Sequence, residues 1–427
     1  MYAKVVKVGL LGLGNIGTGV FNALMLNGEG IAHREGVRFE IVRALVRDES
    51  KTRPAGVRSE ILTTRFEDIL EDESIGLVAE FLGGVEPAAT YLTALLRAGK
   101  TVVTANKEAV AHRWPQLEAA ARESGAGLYY EASVCGGIPI IKLINESLQA
   151  NEISEVKGII NGTTNYILSK MSAEGMSYEE ALAEASAKGI AEPDPTNDVE
   201  GYDAVCKLSI LSSLAFHAHV PVDRVFRRGI TDITAQEIAI GRELGYEIKL
   251  LAVGKKRGQT IEARVHPTFI PSSHPLAAVR GSFNAVYVHG NAVGSLMLYG
   301  RGAGDFPTAS AIISDMVTAS KTTQHRYNTF HNDDTTDDVD VSSDWETRFF
   351  LHMEVLDQPG VLAEVAGELA RHGVSISSCV QRGWDMPVVP LYIVTHRTHE
   401  RSMDAALKAL RGLKTIASIP GIIRVED

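Results

Sequence analysis

Hydrophobic positions along the chain fall into three successive patterns. From residue 5 to about 135, short continuous apolar runs alternate with helical stretches: "VVKVGLLGLG", "EIVRALVR", "IGLVAEFLGG", "TVVTANK" and "GLYYEASV". Runs apolar on both faces, each followed by a helix, predict a parallel sheet with crossover helices. From 136 to about 320, long helices precede strands such as "IEARVHPTFI" and "AVYVHGNAVGSLMLYG", the pattern of an α+β unit with its own core. Residues 331–347, "HNDDTTDDVDVSSDWET", are polar, acidic and almost without apolar anchors, and read as a linker. The remainder, 348–427, recovers a compact βαββαβ order: "RFFLHMEVL", "GVLAEVAGELARHG", "VSISSCVQRG", "VPLYIVTHR", "SMDAALKALRGL", "GIIRVED". The expected fold class is α/β. A doubly wound parallel sheet (1–135, completed by a returning helix at about 306–320) is followed by an α+β unit (136–305) and a ferredoxin-like tail (348–427).

Composition narrows the function classes. The 427 residues are 45% hydrophobic and 22% charged, ordinary for a soluble globular protein. The formal net charge of −11, with acids and bases interspersed, argues against a nucleic-acid partner, which wants a basic face. No run approaches the roughly 18 apolar residues of a membrane span. Cys135, Cys206 and Cys379 are widely spaced, giving neither a disulfide framework nor a metal pattern. The chain enters its first strand with no signal peptide, and a cytoplasmic location is expected.

"VKVGLLGLGNIGTGVFNAL" sets Gly12, Gly14 and Gly17 as G-x-G-x-x-G between a strand and a helix. The first glycine permits the tight turn, the second lets backbone approach a pyrophosphate, and the third lets helix pack on strand. The phosphates would sit against the unpaired N–H groups at the helix start. This is the Rossmann-type pattern, and Gly12, Leu13, Gly14, Asn15, Ile16 and Gly17 are its expected cofactor loop. An acid ending the second strand would hold the 2′-hydroxyl of NAD. "FEIVRALVRD" exits instead at Arg47, with Lys51 and Arg53 behind it. Arg47 can hold a 2′-phosphate bidentately, which favours NADP, while Asp48 beside it keeps NAD open. Thr104, Asn106 and Lys107 in "VVTANKEAV" either face the cleft at the strand ends or open the next helix as turn residues.

The stretch "IAEPDPTNDVEGYDAVCKLSIL", Ile190 to Leu211, gathers five acids ahead of one lysine. Upstream, Ser177 and Glu180 form a capping box for a helix that stops at Gly189. Two prolines stiffen the loop. A helix from about Val199 to Phe216 would carry Glu200, Asp203 and Lys207 on one face. An exposed Asp–Lys i,i+4 pair contributes only a few tenths of a kcal/mol. Here the flanks are apolar nearly all round, so the helix is expected to be buried. A buried lysine, its pKa depressed, can exchange protons near neutrality, and nearby acids suit an α-ammonium. The reading is a small amino acid whose far end undergoes proton and hydride transfer.

"GLGNIG", "VVTANK", "EASVCGGIPII", "GIINGTTNYIL", "AEPDPTNDVEGYDAVCKLSIL" and "GRGAGDFPTASAIISD", in this order, resemble the homoserine dehydrogenase family over essentially the whole chain. The tail, with "LDQPGVLAEVA", is similar to ACT domains, which sense small amino acids. The resemblance implies interconversion of L-homoserine and L-aspartate 4-semialdehyde with NADP or NAD, in threonine, methionine and isoleucine biosynthesis. It implies Lys207 as proton donor, Lys107 in support, Asp198 orienting the lysines, and Glu192 and Asp203 holding the amino-acid end. Gly83, Gly189, Gly302 and Gly304, with Thr104, Asn106 and Lys107, would also approach the cofactor. It further implies a monovalent cation, sodium, on Glu131 and the carbonyls of Val134, Gly136 and Ile138. In the tail, Asp357, Gln358, Pro359, Gly360 and Val361 would hold a free amino acid, L-threonine by pathway logic. ACT-like modules pair edge to edge, so a homodimer or homotetramer is expected. No histidine or arginine neighbours Cys135 in sequence, and an activated thiolate is not expected there. Two other readings compete. Another amino-acid semialdehyde dehydrogenase on this scaffold would differ in substrate. A sensor with a vestigial catalytic part would have lost "TANK" or the Asp203/Lys207 pair, and both are intact.

Overall fold

The computed structural model describes residues 3–53, 56–322, 340–383 and 386–426. Strands β1 (Lys4–Leu11), β2 (Val37–Leu45), β3 (Leu62–Thr63), β4 (Leu77–Glu80), β5 (Thr101–Thr104) and β6 (Leu128–Tyr129) form an all-parallel sheet in the order 3-2-1-4-5-6. Val8, Leu10, Leu11, Val78, Val102 and Val103 are fully buried. Helices cover both faces, so the apolar runs show no alternation. The order reverses between β1 and β4, and a doubly wound sheet binds its ligand at that reversal.

The second unit contains β7 (Ile153–Ile159), β8 (Phe226–Arg227), β9 (Tyr246–Arg257), β10 (Thr260–Pro271), β11 (Phe283–Gly290) and β12 (Gly294–Arg301). Strands 12-11-7-9-10 are antiparallel neighbours. Helices Gly162–Glu174 and Tyr202–Phe216 lie against this sheet. The Ser177–Glu180 capping box is formed on the helix Tyr178–Ala187, and Gly189 turns left-handed after it (φ 66). Helix Asp305–Lys321 then returns to the first unit, where Ala309, Ile312 and Met316 share a core with Val8, Leu10 and Val20.

The tail contains β13 (Asp340–Ser342), β14 (Glu346–Leu356), β15 (Ile376–Gln381), β16 (Val388–Thr395), β17 (Thr398–His399) and β18 (Ile416–Val425). Its sheet order 18-14-16-15 is that of a ferredoxin-like fold, with helices Val361–Arg371 and Glu400–Leu410 burying Val365, Leu369, Met403 and Leu410. Of the acidic stretch read as a linker, 331–339 lies outside the described residues. Residues 340–347 correct that reading: β13 pairs with β10, Trp345 is 2% exposed, and β14 starts at Glu346. Two apolar anchors, Val341 and Trp345, suffice to tie down a segment whose average composition is polar.

The tail also shares a sheet with the unit before it. β18 pairs in parallel with β10 through Thr268/Arg424 and Phe269/Val425. Buried charges lock the seam. Arg264, fully buried, donates to Glu262 and to Glu426, and Lys255 reaches the other oxygen of Glu426 at 2.6 Å. Burial alone would raise the Glu426 carboxyl; Arg264, Lys255 and Lys157 outweigh it and hold it far below the usual range.

Candidate active site

The helix Tyr202–Phe216 starts at Gly201 (φ 83), which breaks it from the single turn Thr196–Val199. Every residue from Asp203 to Phe216 is buried. Asp203 in its first turn and Lys207 one turn later share a face, and Lys207 Nζ donates to Asp203 Oδ2 at 2.6 Å. Lys107, the first residue of the helix Lys107–Ser124, sits 2.7 Å from Asp203 Oδ1. Lys207 also donates to the Ile160 carbonyl at the end of β7, at 2.9 Å. Two ammonium groups therefore meet on one carboxylate that is 4% exposed, which excludes the exposed surface pair.

Burial alone would push the Asp203 carboxyl up; the two ammoniums, Lys207 first, hold it well below the usual range. Asp203 in turn raises Lys107 above its ordinary value, against the effect of burial. The depression expected of a buried lysine is thus reversed at Lys107 by its partner. Glu200 does not join them. It caps the preceding turn and holds Arg227 and Thr231.

Asn161, which the sequence reading passed over, ties the acids together. Its Nδ2 donates to Asp198 Oδ1 at 2.7 Å and to Asp203 Oδ2 at 2.9 Å. Its Oδ1 caps the helix Gly162–Glu174 through Thr164 N. The signal was present, an asparagine directly before a helix. A cap uses the carbonyl side of the amide and leaves two N–H donors for the site. The carboxylate in direct contact with both lysines is Asp203, while Asp198 joins the cluster through Asn161 and its charge also acts on Lys107.

A cleft of about 550 Å³ lies over this cluster. It is lined by Lys107, Glu192, Asp198, Asp203 and Lys207, by Ile16 of the glycine loop, and by Gly136, Gly189, Gly302 and Gly304. Gly12 turns left-handed (φ 101), and a Cβ on Gly17 would stand 2.6 Å from the Gly12 carbonyl. A Cβ on Gly14 would meet nothing within 4 Å, and the helix Asn15–Glu35 has no side-chain cap. Free N–H groups facing open space fit a pyrophosphate. Leu13 is buried, and its carbonyl accepts Arg53 Nη1 at 2.9 Å. Arg47 is exposed at the exit of β2 and Gly83 is exposed after β4. Gly136 and Gly302 mark where two crossover segments touch, for a Cβ on Gly136 would lie 2.7 Å from the Gly302 carbonyl.

Thr104 and Asn106 do not turn their side chains to the cleft. Both are spent on Glu80, a fully buried carboxylate at the end of β4: Thr104 Oγ1 donates to it at 2.5 Å and Asn106 Nδ2 at 3.3 Å. Asn106 also caps the helix of Lys107 through Ala109 N. Of the two readings open in sequence, the turn reading describes the Asn106 side chain, which caps the helix that Lys107 opens.

Glu131 is 2% exposed; its two oxygens accept the Ile141 and Lys142 amides, both at 2.8 Å. Burial first, then Asp315, pushes its carboxyl up to about 7. Lys142, 3.0 Å from Asp315, is the cation beside the two carboxylates. Carboxylate and carbonyl oxygens are the ligands a hard cation takes. Cys135 is fully buried, and burial pushes its thiol up to about 11, which favours the protonated form. In the tail, Asp357, Gln358, Pro359 and Gly360 are exposed, and Gly360 (φ 96) precedes the buried Val361 at the start of the helix Val361–Arg371, which has no side-chain cap.

A glycine loop at a sheet reversal, facing a lysine–carboxylate cluster across one cleft, is the arrangement of a nicotinamide-linked oxidoreductase. Family models agree: residues 12–131 match "Homoserine dehydrogenase, NAD binding domain", 139–317 "Homoserine dehydrogenase", and 350–415 "ACT domain". The chain is 40% identical to homoserine dehydrogenase of Bacillus subtilis over 99% of both chains. It is 41% identical to that of Corynebacterium glutamicum, over 99% of this chain and 96% of the other. The crystal structure of a homoserine dehydrogenase from Thiobacillus denitrificans superposes with a TM-score of 0.93 at 39% identity, covering 100% of this chain and 99% of that one. A hyperthermophilic archaeal homoserine dehydrogenase in complex with NADPH matches at TM-score 0.64 and 26% identity, covering 76% of this chain and 100% of its own. The chain belongs to the homoserine dehydrogenase family and carries a C-terminal ACT domain. As an enzyme of that family it interconverts L-homoserine and L-aspartate 4-semialdehyde with a nicotinamide cofactor. Among the described residues no helix is long and apolar enough to cross a membrane.

Proposed function

We infer that Lys207 and Lys107 together hold the reacting oxygen, with Lys207 as the group that takes or gives its proton. The observation that carries this is the pair of ammoniums on one buried carboxylate at the cleft. The bound cofactor supplies the hydride acceptor or donor at its nicotinamide ring. In reduction, an ammonium beside the aldehyde oxygen stabilises the developing alkoxide and protonates it; in oxidation the proton moves the other way. Asp203 is occupied by three donors, Lys207, Lys107 and Asn161. The substrate ammonium therefore falls to Glu192 and Asp198, which line the same cleft. L-Homoserine oxidation followed by NADPH absorbance tests the assignment: with Lys207 changed to Met, turnover should fall by about 10²-fold or more while cofactor binding persists. Retained turnover would end it.

NADP is the cofactor we favour. Arg47 stands exposed where the adenosine end would lie, and a relative was solved with NADPH. Arg47→Ala should weaken NADP about ten-fold or more, the loss of a charge-assisted bond, and leave NAD unchanged. Equal losses for both cofactors, measured by titration, would show that Arg47 does not read the 2′-phosphate. Glu131 with the carbonyls of Val134, Gly136 and Ile138 would hold sodium and pin the crossover where Gly136 meets Gly302. Exchanging sodium for choline should then slow L-homoserine oxidation; an unaltered rate would remove the cation from the account. The ACT domain suggests regulation, and we take L-threonine as its effector.

A further inference from the structure

A smaller cavity, about 200 Å³, lies between the last turns of the helix Gly162–Glu174, the end of the helix Ala235–Glu243, the start of β9 and the turn after Val279. It shares no lining residue with the catalytic cleft. We propose that it is an anion site, holding one small tetrahedral oxyanion of the phosphate or sulfate class. Its volume lies below the roughly 300–1,000 Å³ of drug-sized pockets, which leaves room for a small ion and little more.

Lys249 of β9 lines the cavity and is 3% exposed. Its Nζ donates to the Val279 carbonyl and, at 3.3 Å, to Asn165 Oδ1. Both acceptors are neutral, and among the described residues no carboxylate stands within ion-pair distance of it. Burial pushes its ammonium down to about 8; Glu247 opposes this from longer range, and Arg280 adds to it. A buried charge ordinarily has a counter-charge beside it, and here the chain supplies none. Arg280 is exposed and makes no hydrogen bond or ion pair among the described residues. Arg242 is partly spent. It donates to the Ser172 carbonyl, answering the negative end of the helix, and its Nε lies 3.8 Å from Glu247. Three cations thus line the space against one carboxylate, Glu247. Two hydroxyls join them. Ser172 Oγ is buried with no hydrogen-bond partner. Ser169 Oγ accepts Gly281 N at 3.2 Å, which leaves its own proton to donate. Guanidinium, ammonium and hydroxyl donors arriving from separate segments suit an oxyanion with acceptors in several directions.

The ion would fasten a segment that reaches the cleft. Two residues beyond Arg280, Ser282 lines the catalytic cleft, as does Asn284. Asn165, which accepts Lys249 through Oδ1, donates through Nδ2 to the carbonyls of Gly281 at 2.9 Å and Phe283 at 3.1 Å. The Ser282 carbonyl packs so close to Gly162 that a Cβ there would stand 2.8 Å from it. An oxyanion bridging Lys249 and Arg280 would therefore tie the 280–284 segment to the helix Gly162–Glu174, and bound ligand stabilises the fold by mass action.

The full-length enzyme is saturated with NADP, so that the glycine loop and Arg47 are already occupied. It is then titrated by calorimetry with sodium phosphate and sodium sulfate, with sodium chloride at matched ionic strength as the reference, and its melting temperature is followed in each salt. At least one of the oxyanions should bind with one ion per chain and raise the melting temperature above that in chloride. Arg280→Ala, on the surface and outside the cleft, should keep the rate of L-homoserine oxidation measured without oxyanion. It should weaken oxyanion binding about ten-fold or more and lose most of the thermal gain. Ser172→Ala, which removes only the unpartnered hydroxyl, should weaken binding by less. The proposal is overturned if neither oxyanion binds the parent at millimolar concentrations, or if chloride produces the same heat and the same thermal gain. Binding unchanged in both Arg280→Ala and Ser172→Ala would also overturn it, since the ion would then sit elsewhere.

Discussion

Lys207→Ala should lower kcat for L-homoserine oxidation by about 10²-fold or more, the ordinary contribution of a positioned acid or base, with the Kd for NADP nearly unchanged. The geometry says why the loss falls on kcat. Lys207 Nζ is fixed by two acceptors, Asp203 Oδ2 and Ile160 O, and its side chain is only 11% exposed. A group held that firmly keeps its donor aimed without reorganising during the reaction. The variant should fold, because Asp203 retains Lys107 and Asn161 as partners and its charge stays compensated. Lys207→Arg should not rescue the rate, since a planar fork presents its charge differently from a compact ammonium. Near-normal turnover in Lys207→Ala would hand the proton transfer to Lys107, which sits on the other oxygen of the same carboxylate.

Much of this was legible in the sequence, for reasons that differ by element. The parallel sheet announced itself through apolar runs buried on both faces, and the glycine loop through residues that backbone contact demands. Lys207 was found because a lone charge in an apolar helix needs an explanation. The partners were harder. Asp203 and Asp198 differ by five positions, and only the left-handed turn at Gly201 decides which one reaches the lysines. Thr104 and Asn106 were read towards the cleft because Glu80, their partner 24 and 26 residues away, cannot be paired with them by any local pattern. The seam between β10 and β18 is less legible still. It joins positions over 150 residues apart, and the acidic composition around Asp340 pointed to a linker. Local rules see caps, turns and periodicity; long-range pairing of buried charges leaves no periodic trace.

Asp203→Asn is the sharper test of the site, because two readings of Asp203 predict different kinetics. If Asp203 gripped the substrate ammonium, the change would raise KM and spare kcat. In this structure the carboxylate lies 2.6 and 2.7 Å from two ammoniums and is the counter-charge that lets Lys207 stay buried and Lys107 stay half-buried. Removing one partner of a buried pair costs about 3–5 kcal/mol, mostly from the charge left uncompensated. The variant should therefore melt at lower temperature and lose kcat by about 10²-fold, as the lysines leave their aim. Its pH behaviour follows from the directions of the shifts. Asp203 is depressed, so its contribution to stability is present above the ordinary carboxylate value of about 3.9 and lost as pH falls through the depressed one. Lys107 is raised by Asp203, so its contribution holds below about 10.4 and is lost as pH rises through the raised value. Without Asp203, only the weaker pull of Glu108 and Asp198 opposes burial at Lys107, and its proton leaves at lower pH. Reduction of the semialdehyde, which needs the ammonium form, should then fail at a lower pH than in the parent, moving the alkaline limb of the profile acid-ward. A variant with parental kcat, an unmoved alkaline limb and only a raised KM would return Asp203 to the substrate and leave the lysines without a holder.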